Sequence, residues 1–413
     1  MSNNIPKIRF KGFTHAWEQR TLGEVVDFFP GLTYSPDNII ANKGTLVLRS
    51  SNVSNGEIID ADNVYVESNV VNCANVEIGD VIVVVRNGSR SLIGKHAQIK
   101  YHMENTVIGA FMTGLRSNQS QFINSLLDTQ QFDFEITKNL GATINQITTG
   151  AFKKMIFTIP FEESEQTAIG NFFRTLDDAI TLHKRKLEGL KELKSAYLQQ
   201  MFPQAGEDLP RVRFAGFTGD WKKRKLGEMV EKLKSYSLSR DVETKEETGY
   251  RYIHYGDIHK QVADLIVTDK QLPCIKISDY IPLNRGDLVL ADASEDYTGI
   301  AEPSIILHEP QEKIIAGLHT IALRPQNTNA LYLYYLLHTD TFKKYGCKAG
   351  TGLKVFGITF DNLSIFETTI PIIEEQIAIG YFFYNFDCII EKQKIKLDKL
   401  KQLKSAYLQK LFV

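Results

Sequence analysis

Residues 86–90 and 292–296 carry side chains suited to binding chemistry, and each group directly follows an apolar run. Residues 86–90 read Arg-Asn-Gly-Ser-Arg, whereas residues 292–296 read Asp-Ala-Ser-Glu-Asp. Arg and Lys bind phosphates and guanine edges, and Asn, Ser, Asp and Glu bind adenine and cytosine edges in the major groove. The two clusters differ although each follows a similar apolar run, which predicts two related readers of different targets.

Further polar clusters follow or interrupt apolar runs, where loops on a rigid frame commonly carry binding residues. The complete set of candidate binding residues is Arg49, Ser51, Asn52, Arg86, Asn87, Ser89, Arg90, Lys95, Tyr252, His254, Tyr255, Asp257, Asp292, Ser294, Glu295 and Lys354. A solvated surface role is the alternative for any single member. The prediction therefore rests on the clusters more than on their members.

The densest basic run is Trp221–Lys225, which could hold phosphates beside an aromatic ring. The corresponding segment Trp17–Arg20 lacks that charge. A structural tryptophan with a solvated basic rim is therefore an equal alternative.

The segment Gly88–His96 is the nearest approach to a catalytic motif. It has five residues between its glycines, where a phosphate-binding loop has four, and it ends in His instead of the Ser or Thr that binds magnesium. No two prolines are adjacent, so the Asn/Asp-Pro-Pro-aromatic motif of amino-methyltransferases is absent. We predict no catalytic residue and no enzymatic activity for this chain.

Composition narrows the class of protein further. A net charge of -1 over 413 residues gives no bulk attraction to polyanions, so any nucleic-acid binding must come from local patches. The chain has no apolar run of the length that a membrane span needs, which favours a cytoplasmic protein. Four widely spaced cysteines without histidines at ligand spacing predict buried free thiols and no metal site: Cys73, Cys274, Cys347 and Cys388.

The chain contains two copies of one plan. Residues 6–25 match residues 210–229 at 11 of 20 positions, and residues 165–202 match residues 375–412 at 22 of 38. Each copy therefore has a head, a body and a long tail, which predicts an internal repeat with pseudo-twofold symmetry.

Each tail carries apolar residues at alternating steps of four and three, which is typical of a coiled-coil seam. The predicted seam residues are Ile169, Phe173, Leu176, Ile180, Leu187, Leu190, Tyr197, Ile379, Phe383, Phe386, Ile390, Leu397, Leu400 and Tyr407. Both tails interrupt the seam at equivalent positions, His183 with Gln393 and Lys194 with Lys404. These shared polar residues suggest a fixed register.

A single heptad helix cannot bury its own apolar stripe, so we expect the two tails to pair. Pro203 and a polar stretch end the first helix and carry the chain to the second body. The second helix can pair with the first only by running back, which predicts an antiparallel pair. Packing of each tail on its own body alone is the alternative.

Between head and tail, both bodies read as short strands and turns, and residues 80–85 and 287–291 look like equivalent core strands after Gly-Asp turns. We predict an α+β fold in which a long antiparallel two-helix coiled coil joins two related bodies. The predicted boundaries are 1–158 for the first body, 159–203 for the central helical spacer, 204–369 for the second body and 370–413 for the C-terminal spacer.

Three repeated features resemble the specificity subunits of Type I DNA restriction-modification systems. They are the Pro-x-[Ile/Val]-Arg-Phe-x-Gly-Phe-Thr-x-x-Trp heads, the Glu-Gln-x-Ala-Ile-Gly-x-Phe-Phe entries to the helices and the Leu-Lys-Ser-Ala-Tyr-Leu-Gln tails, in the order body, helix, body, helix. The resemblance covers essentially the whole chain. It implies that each body is a target recognition domain that reads one half of a split DNA sequence. The candidate binding residues given above would then be DNA-binding residues.

The resemblance also implies the partners. Two methyltransferase subunits carrying S-adenosylmethionine would dock on the helices and methylate adenine N6, and motor-nuclease restriction subunits would join the full complex. This chain itself is expected to bind no cofactor. A coiled-coil DNA-binding regulator or scaffold without methyltransferase partners is the alternative.

Overall fold

A computed structural model describes residues 5–140, 145–296, 299–352 and 355–413. The chain divides into two compact units. Unit 1 comprises Met1–Lys184 with Ile395–Val413, and unit 2 comprises Arg185–Lys394. Each unit thus contains a body and segments of both tails, and the predicted boundaries between bodies and spacers stay predictions.

The first body combines short strands with short helices. Its strands are Glu18–Thr21, Asp27–Pro30, Ile39–Ile40, Thr45–Leu48, Val53–Ser54, Glu57–Ile58, Val64–Val66, Val81–Val84, His96–Gln98, Thr106–Ile108, Met112–Arg116 and Ile156–Ile159. Its helices are Leu22–Val25, Ser120–Leu127, Gln130–Asn139 and Thr149–Lys153, with 3-10 turns at Pro36–Asn38, Ser50–Asn52, Ser68–Val70 and Arg90–Leu92.

Strand Val81–Val84 lies at the centre of unit 1. It pairs antiparallel with Met112–Arg116 on one side and with His96–Gln98 on the other. Asp27–Pro30 extends this sheet beyond Met112–Arg116. A second sheet has the strand order 106–108, 45–48, 64–66 and 39–40, in which the first pair is parallel.

The second body repeats this mixture. Its strands are Lys222–Lys225, Val230–Lys232, Tyr250–Ile253, Leu265–Ile266, Leu288–Ala291, Ala293–Ser294, Pro303–Ile306, Lys313–Ala316, Thr320–Pro325, Phe356–Gly357 and Glu367–Ile370. Its helices are Leu226–Met229, Tyr255–His259, Ala330–Leu336, Asp340–Ala349 and Phe360–Ser364, with 3-10 turns at Arg240–Val242 and Asp269–Gln271. Its main sheet has the order 230–232, 320–325, 288–291, 303–306 and 265–266.

The two predicted core strands are confirmed, and each follows a buried aspartate that pairs with a partly exposed arginine. Every residue of Val81–Val84 and Leu288–Ala291 is buried. Asp80, just before the first strand, accepts two hydrogen bonds from Arg116 at 2.8 and 2.7 Å. Asp287 accepts the same two bonds from Arg324 at 2.8 and 2.7 Å. One frame therefore supports both bodies.

The repeated heads are structural. Arg9 binds Glu165 at the start of the first tail helix through two bonds of 2.6 and 2.7 Å, and Arg213 binds Glu375 through two bonds of 2.8 Å. Trp221 is buried and donates from Nε1 to Glu375 over 3.2 Å. The structure therefore supports a structural role for Trp221.

Each tail forms one long helix, Glu163–Gln200 for the first and Ile373–Leu411 for the second. All fourteen predicted seam residues are buried or half-buried. The ends of the seam belong to the cores of the bodies, because Ile169 and Phe173 lie in the core of unit 1 and Ile379 and Phe383 in that of unit 2.

Within each unit, segments of the two long helices contact each other and run antiparallel. In unit 1 the rings of Phe172 and Tyr407 lie 5.0 Å apart. In unit 2 the rings of Tyr197 and Phe382 lie 5.2 Å apart. The alternative that each tail packs only on its own body is therefore wrong, since Phe412 of the second copy also packs on Trp17 of the first body.

Two helix glycines allow these helices to approach the bodies closely. A Cβ atom on Gly170 would lie 2.5 Å from the backbone nitrogen of Phe122. On Gly380 it would lie 2.9 Å from the backbone nitrogen of Tyr332. A larger residue at either position would push the long helix away from its body.

The four cysteines form no disulfide with one another, and only Cys274 is buried, whereas the other three are half-buried. The expectation of four buried thiols is thus wrong for three of them, which lie near the surface of their units. No helix within the described ranges is long and apolar enough to cross a membrane.

Candidate nucleic-acid interface

In unit 1 the structure brings three of the predicted clusters together. Asn87 donates to the hydroxyl of Ser50 over 3.0 Å, which joins the loop after the central strand to the Ser50–Asn52 turn. The Nζ of Lys95 lies 3.4 Å from the carbonyl oxygen of Ser50. The first-body candidates therefore form one surface, although they are scattered along the sequence.

Arg86 occupies the end of the central strand, where its side chain lies over an aromatic ring. Its guanidinium carbon is 4.8 Å from the ring centroid of Phe111, and the Phe111 side chain is 52% exposed. The carbonyl of Phe111 accepts the backbone N–H groups of Val85 and Arg86 at 3.0 and 3.2 Å. The backbone therefore fixes the two residues side by side. We call Arg86 with Phe111 the first corner.

The charge at the first corner is not neutralised by the protein. Arg86 and Arg90 are exposed, and no carboxylate in the described residues pairs with either of them. Arg49 differs, because its Nη2 lies 2.5 Å from a carboxylate oxygen of Asp62. Free cations of this kind suit phosphates or guanine edges.

Two predicted base contacts in the first body are structural instead. Asn52 is fully buried; its side chain accepts from the backbone of Arg49 and donates to Ala61 and Asn63. The amide of Asn87 is occupied by Ser50 and by the backbone of Ser89. Asn52 is buried and Asn87 half-buried, and both amides are bonded within the protein, so these side chains hold the loops together instead of facing bases.

The remaining two first-body candidates are hydroxyls of different accessibility. Ser51 is half-buried and its oxygen is screened from solvent, whereas Ser89 is exposed and lies 2.9 Å from the hydroxyl of Ser91. Of this pair, Ser89 alone stays a candidate contact.

In unit 2 the equivalent position holds an acid and an imidazole. An Oδ1 of Asp292 lies 3.2 Å from Nδ1 of His319, and both side chains are partly exposed. The carbonyl of His319 accepts the N–H of Asp292 at 3.0 Å. Burial raises the pKa of Asp292, against the opposing effect of His319. We call Asp292 with His319 the second corner.

Aromatic side chains surround the second corner. The ring of Tyr255 lies 5.3 Å from that of His319 and 5.8 Å from that of His259. The carboxylate of Glu302, 3.8 Å from Nδ1 of His259, raises the pKa of His259. The Nε2 of His259 lies 2.9 Å from the carbonyl oxygen of Ala293. Tyr255 is half-buried, so it stays a candidate DNA contact.

Four predicted contacts in the second body are wrong because the structure buries them. Tyr252 is fully buried and donates to Glu243 over 2.8 Å. His254 caps the following helix by accepting from Gly256, and Asp257 binds Arg240 at 2.7 Å. Burial lowers the pKa of His254 and raises that of Tyr252. The fourth is Ser294, which is 4% exposed and accepts from the backbone of Asp296.

The last two second-body candidates are Glu295 and Lys354. Glu295 is exposed beside the second corner, where it adds negative charge. Lys354 lies outside the described residues.

Phe111 and His319 were missed among the candidates, although the repeat carries a signal for them. The segments 109–112 and 317–320 each begin with a glycine and lead into the next core strand. Phe111 and His319 are the third residues of these segments. Aligning these turns would have identified a ring at the same place in both bodies.

Glu247, Cys274 and Glu312 form a group whose ligand atoms lie within 4.8 Å of one another. The guanidinium of Arg251 already lies between its acids, 2.7 Å from Glu247 and 2.9 Å from Glu312. Burial also raises the pKa of Cys274, which disfavours a thiolate. The group is better explained as an ion pair, and we propose no metal there.

Two curated proteins are similar to this chain in sequence. The StySPI specificity subunit of a Type I restriction enzyme from Salmonella potsdam is 24% identical over 224 residues, covering 52% of this chain and 48% of that protein. The EcoKI specificity subunit from Escherichia coli K12 is 25% identical over 191 residues, covering 44% and 41%. The match therefore spans less than half the length of either relative.

Solved structures share the fold. The S subunit of a Type I restriction-modification system from M. genitalium has a TM-score of 0.61 at 15% identity, over 99% of both chains. A chain from a study of complex assembly and conformational transition of the type I R-M system has a TM-score of 0.53 at 18% identity, over 96% of this chain and 97% of that one.

A sequence model described as Type I restriction modification DNA specificity domain matches residues 15–192 and 218–402. These two segments cover most of the chain and correspond to its two repeats. This chain therefore belongs to the family of Type I restriction-modification DNA specificity proteins.

Proposed function

We propose that this chain reads a bipartite DNA target with a fixed gap. Each body would bind one half-site of a few base pairs through the major groove. The chain would then direct partner subunits, which perform the catalysis, to that target.

The main support for this proposal is that both bodies share the same structural frame but carry different polar residues after the central strand. Asp80 with Arg116 and Asp287 with Arg324 support equivalent central strands. The strands lead to a free Arg86 in one body but to Asp292 in the other. A duplicated frame with divergent polar ends is what two readers of different half-sites require.

We further propose that the long helices pair as a coiled coil along their whole length and set the gap between the half-sites. The antiparallel contacts within each unit support this pairing. A helix of 38 residues is about 57 Å long at about 1.5 Å per residue. That length is compatible with half-sites one helical turn apart, or about 34 Å.

The partners follow from membership of the family. Two methyltransferase subunits would carry S-adenosylmethionine and methylate adenine N6 in each half-site, and restriction subunits would act on unmethylated DNA. This chain would supply the DNA sequence preference and the docking surface.

Affinity purification of the full chain from its native host tests the proposal. We expect methyltransferase subunits to co-purify, and the purified complex to bind one split sequence in a selection from random duplexes. A chain that binds DNA alone and recovers no methyltransferase would instead support a stand-alone regulator or scaffold.

A further inference from the structure

The first and second corners occupy the same place in their two bodies. The carbonyl of Val85 accepts the N–H of Ile147 at 2.8 Å, and the carbonyl of Asp292 accepts that of Ile358 at 2.8 Å. Val85 and Asp292 are therefore equivalent in their backbone bonds. Phe111 and His319 are equivalent in the same way, because each carbonyl bonds to the end of the central strand.

The charged side chains differ by one residue in position. Arg86 follows the residue equivalent to Asp292, and its longer side chain reaches back over Phe111. Asp292 is shorter and binds His319 directly. In each body a ring at the start of the next strand thus holds one charged side chain at the strand end.

The two charges select different parts of DNA. A carboxylate is repelled by phosphates, so Asp292 in a DNA surface gains energy only from hydrogen-bond donors, which in the major groove are the exocyclic amino groups of cytosine and adenine. A guanidinium held over a ring, as that of Arg86 is over Phe111 at 4.8 Å, loses less freedom on binding and can form two bonds to O6 and N7 of guanine.

We propose that these corners are the base-identity determinants of the two half-sites. Arg86, positioned by Phe111, reads a guanine in the half-site of the first body, and Asp292, positioned by His319, reads an exocyclic amino group in the half-site of the second. This inference rests on the proposed function, since it presupposes that the chain reads a split DNA target.

The test compares genome-wide N6-methyladenine maps in a host whose own copy of the chain is deleted and replaced by the wild type or a variant. With Arg86→Gln, we expect the preference for guanine at one position of one half-site to fall by roughly 10- to 100-fold. The other half-site and the gap stay unchanged. Asp292→Asn relaxes one position of the opposite half-site.

Arg90→Gln is the matched control, because it removes a free arginine from the same loop. If Arg86 bound only phosphate, both arginine variants would weaken methylation uniformly and leave the base preferences intact, which would overturn the inference. The inference would also be overturned if Arg86→Gln and Asp292→Asn altered the same half-site or left the motif unchanged.

Phe111 is tested as a positioning residue. We expect Phe111→Ala to lose the same guanine preference as Arg86→Gln, and Phe111→Tyr to restore it, because the tyrosine ring also supports the guanidinium. Equal loss in both ring variants would contradict this role.

A variant that gives no methylation is analysed by selection of randomised half-sites with the purified complex, which reports base preference even when binding is weak. Unchanged selected bases overturn the inference. The proposed function fails separately, when deletion of the whole chain leaves the methylation map unchanged.

Discussion

The Nζ of Lys404 lies 2.6 Å from an Oδ1 of Asp177 in unit 1. The equivalent residues in unit 2, Lys194 and Asp387, lie 2.5 Å apart. In both units the pair joins one long helix to the other, because the lysine comes from one helix and the aspartate from the other. These are the same lysines that interrupt the apolar seam. These ion pairs therefore explain why the apolar seam is interrupted at the two lysines. Only one register of the two helices brings each lysine next to its own aspartate.

Removal of the Lys404 charge should destabilise unit 1. Lys404 also lies 2.7 Å from Asp128, so Lys404→Met leaves two partly buried carboxylates without their cation. We expect a loss of about 2 kcal/mol in the free energy of unfolding, measured by urea denaturation at pH 7. Lys401→Met, on the exposed side of the same helix, is the control and should change stability by less than about 0.5 kcal/mol.

A double-mutant cycle of Lys404→Met with Asp177→Asn measures the pair itself. We expect a coupling free energy of about 1 kcal/mol. Additive effects would mean that the pair contributes nothing to the helix contact.

Asp128 makes the stability of unit 1 dependent on acid pH. Burial alone would raise the pKa of Asp128, but His96, whose Nε2 lies 3.4 Å from an Asp128 oxygen, and the charge of Lys404 lower it to about 2 from 3.8. A lowered carboxylate pKa stabilises the fold above about pH 4, and this stabilisation is lost as the pH falls through 2.

Asp128→Asn should therefore lower the free energy of unfolding by about 2 kcal/mol at pH 7, and by less than about 1 kcal/mol near pH 2.5. Urea titrations of wild type and variant at the two pH values provide the measurement. A difference that does not depend on pH would show that Asp128 acts through packing rather than charge.

The glycines of the first long helix should respond in opposite directions to alanine. Gly170→Ala places a Cβ atom 2.5 Å from the backbone of Phe122, so we expect it to destabilise the chain by about 2 kcal/mol. Gly189 has no atom within 4 Å of such a Cβ, and Gly189→Ala should stabilise the helix by about 1 kcal/mol. Thermal melts compare the two variants, and equal shifts would contradict close packing at Gly170.

Lengthening both long helices should lengthen the DNA gap. One heptad inserted after Lys184 and another after Lys394 keeps the seam in phase and adds about 10 Å to each helix. At 3.4 Å per base pair, we expect a gap about three base pairs longer, with both half-sites unchanged. Methylation maps report this directly, and an unchanged gap would assign the spacing to the bodies.

Features that repeat or follow a period could be predicted from the sequence. The seam from Ile169 to Tyr407 and the core strands after Asp80 and Asp287 depend on local patterns of apolar residues, which secondary structure and burial obey. The equivalent positions of Lys194 and Lys404 could be recognised for the same reason.

The candidate contacts were harder to predict, because burial of a loop side chain depends on distant segments. Asn52 is buried by bonds to Ala61 and Asn63, and Tyr252 by its bond to Glu243. Similarly, Arg86 and Phe111 lie 25 positions apart in the sequence, and only strand pairing brings them into contact. A polar residue beside an apolar run does not reveal which way its side chain turns.

The central claim, that this chain selects a split target for methylation, is tested most directly by one map of N6-methyladenine. The map compares the host with a strain that lacks only this chain and retains the neighbouring methyltransferase. We predict that a motif of two half-sites with a fixed gap disappears on deletion and returns with the wild-type chain. A methylation pattern that does not change on deletion, in a host with measurable N6-methyladenine, would contradict the account.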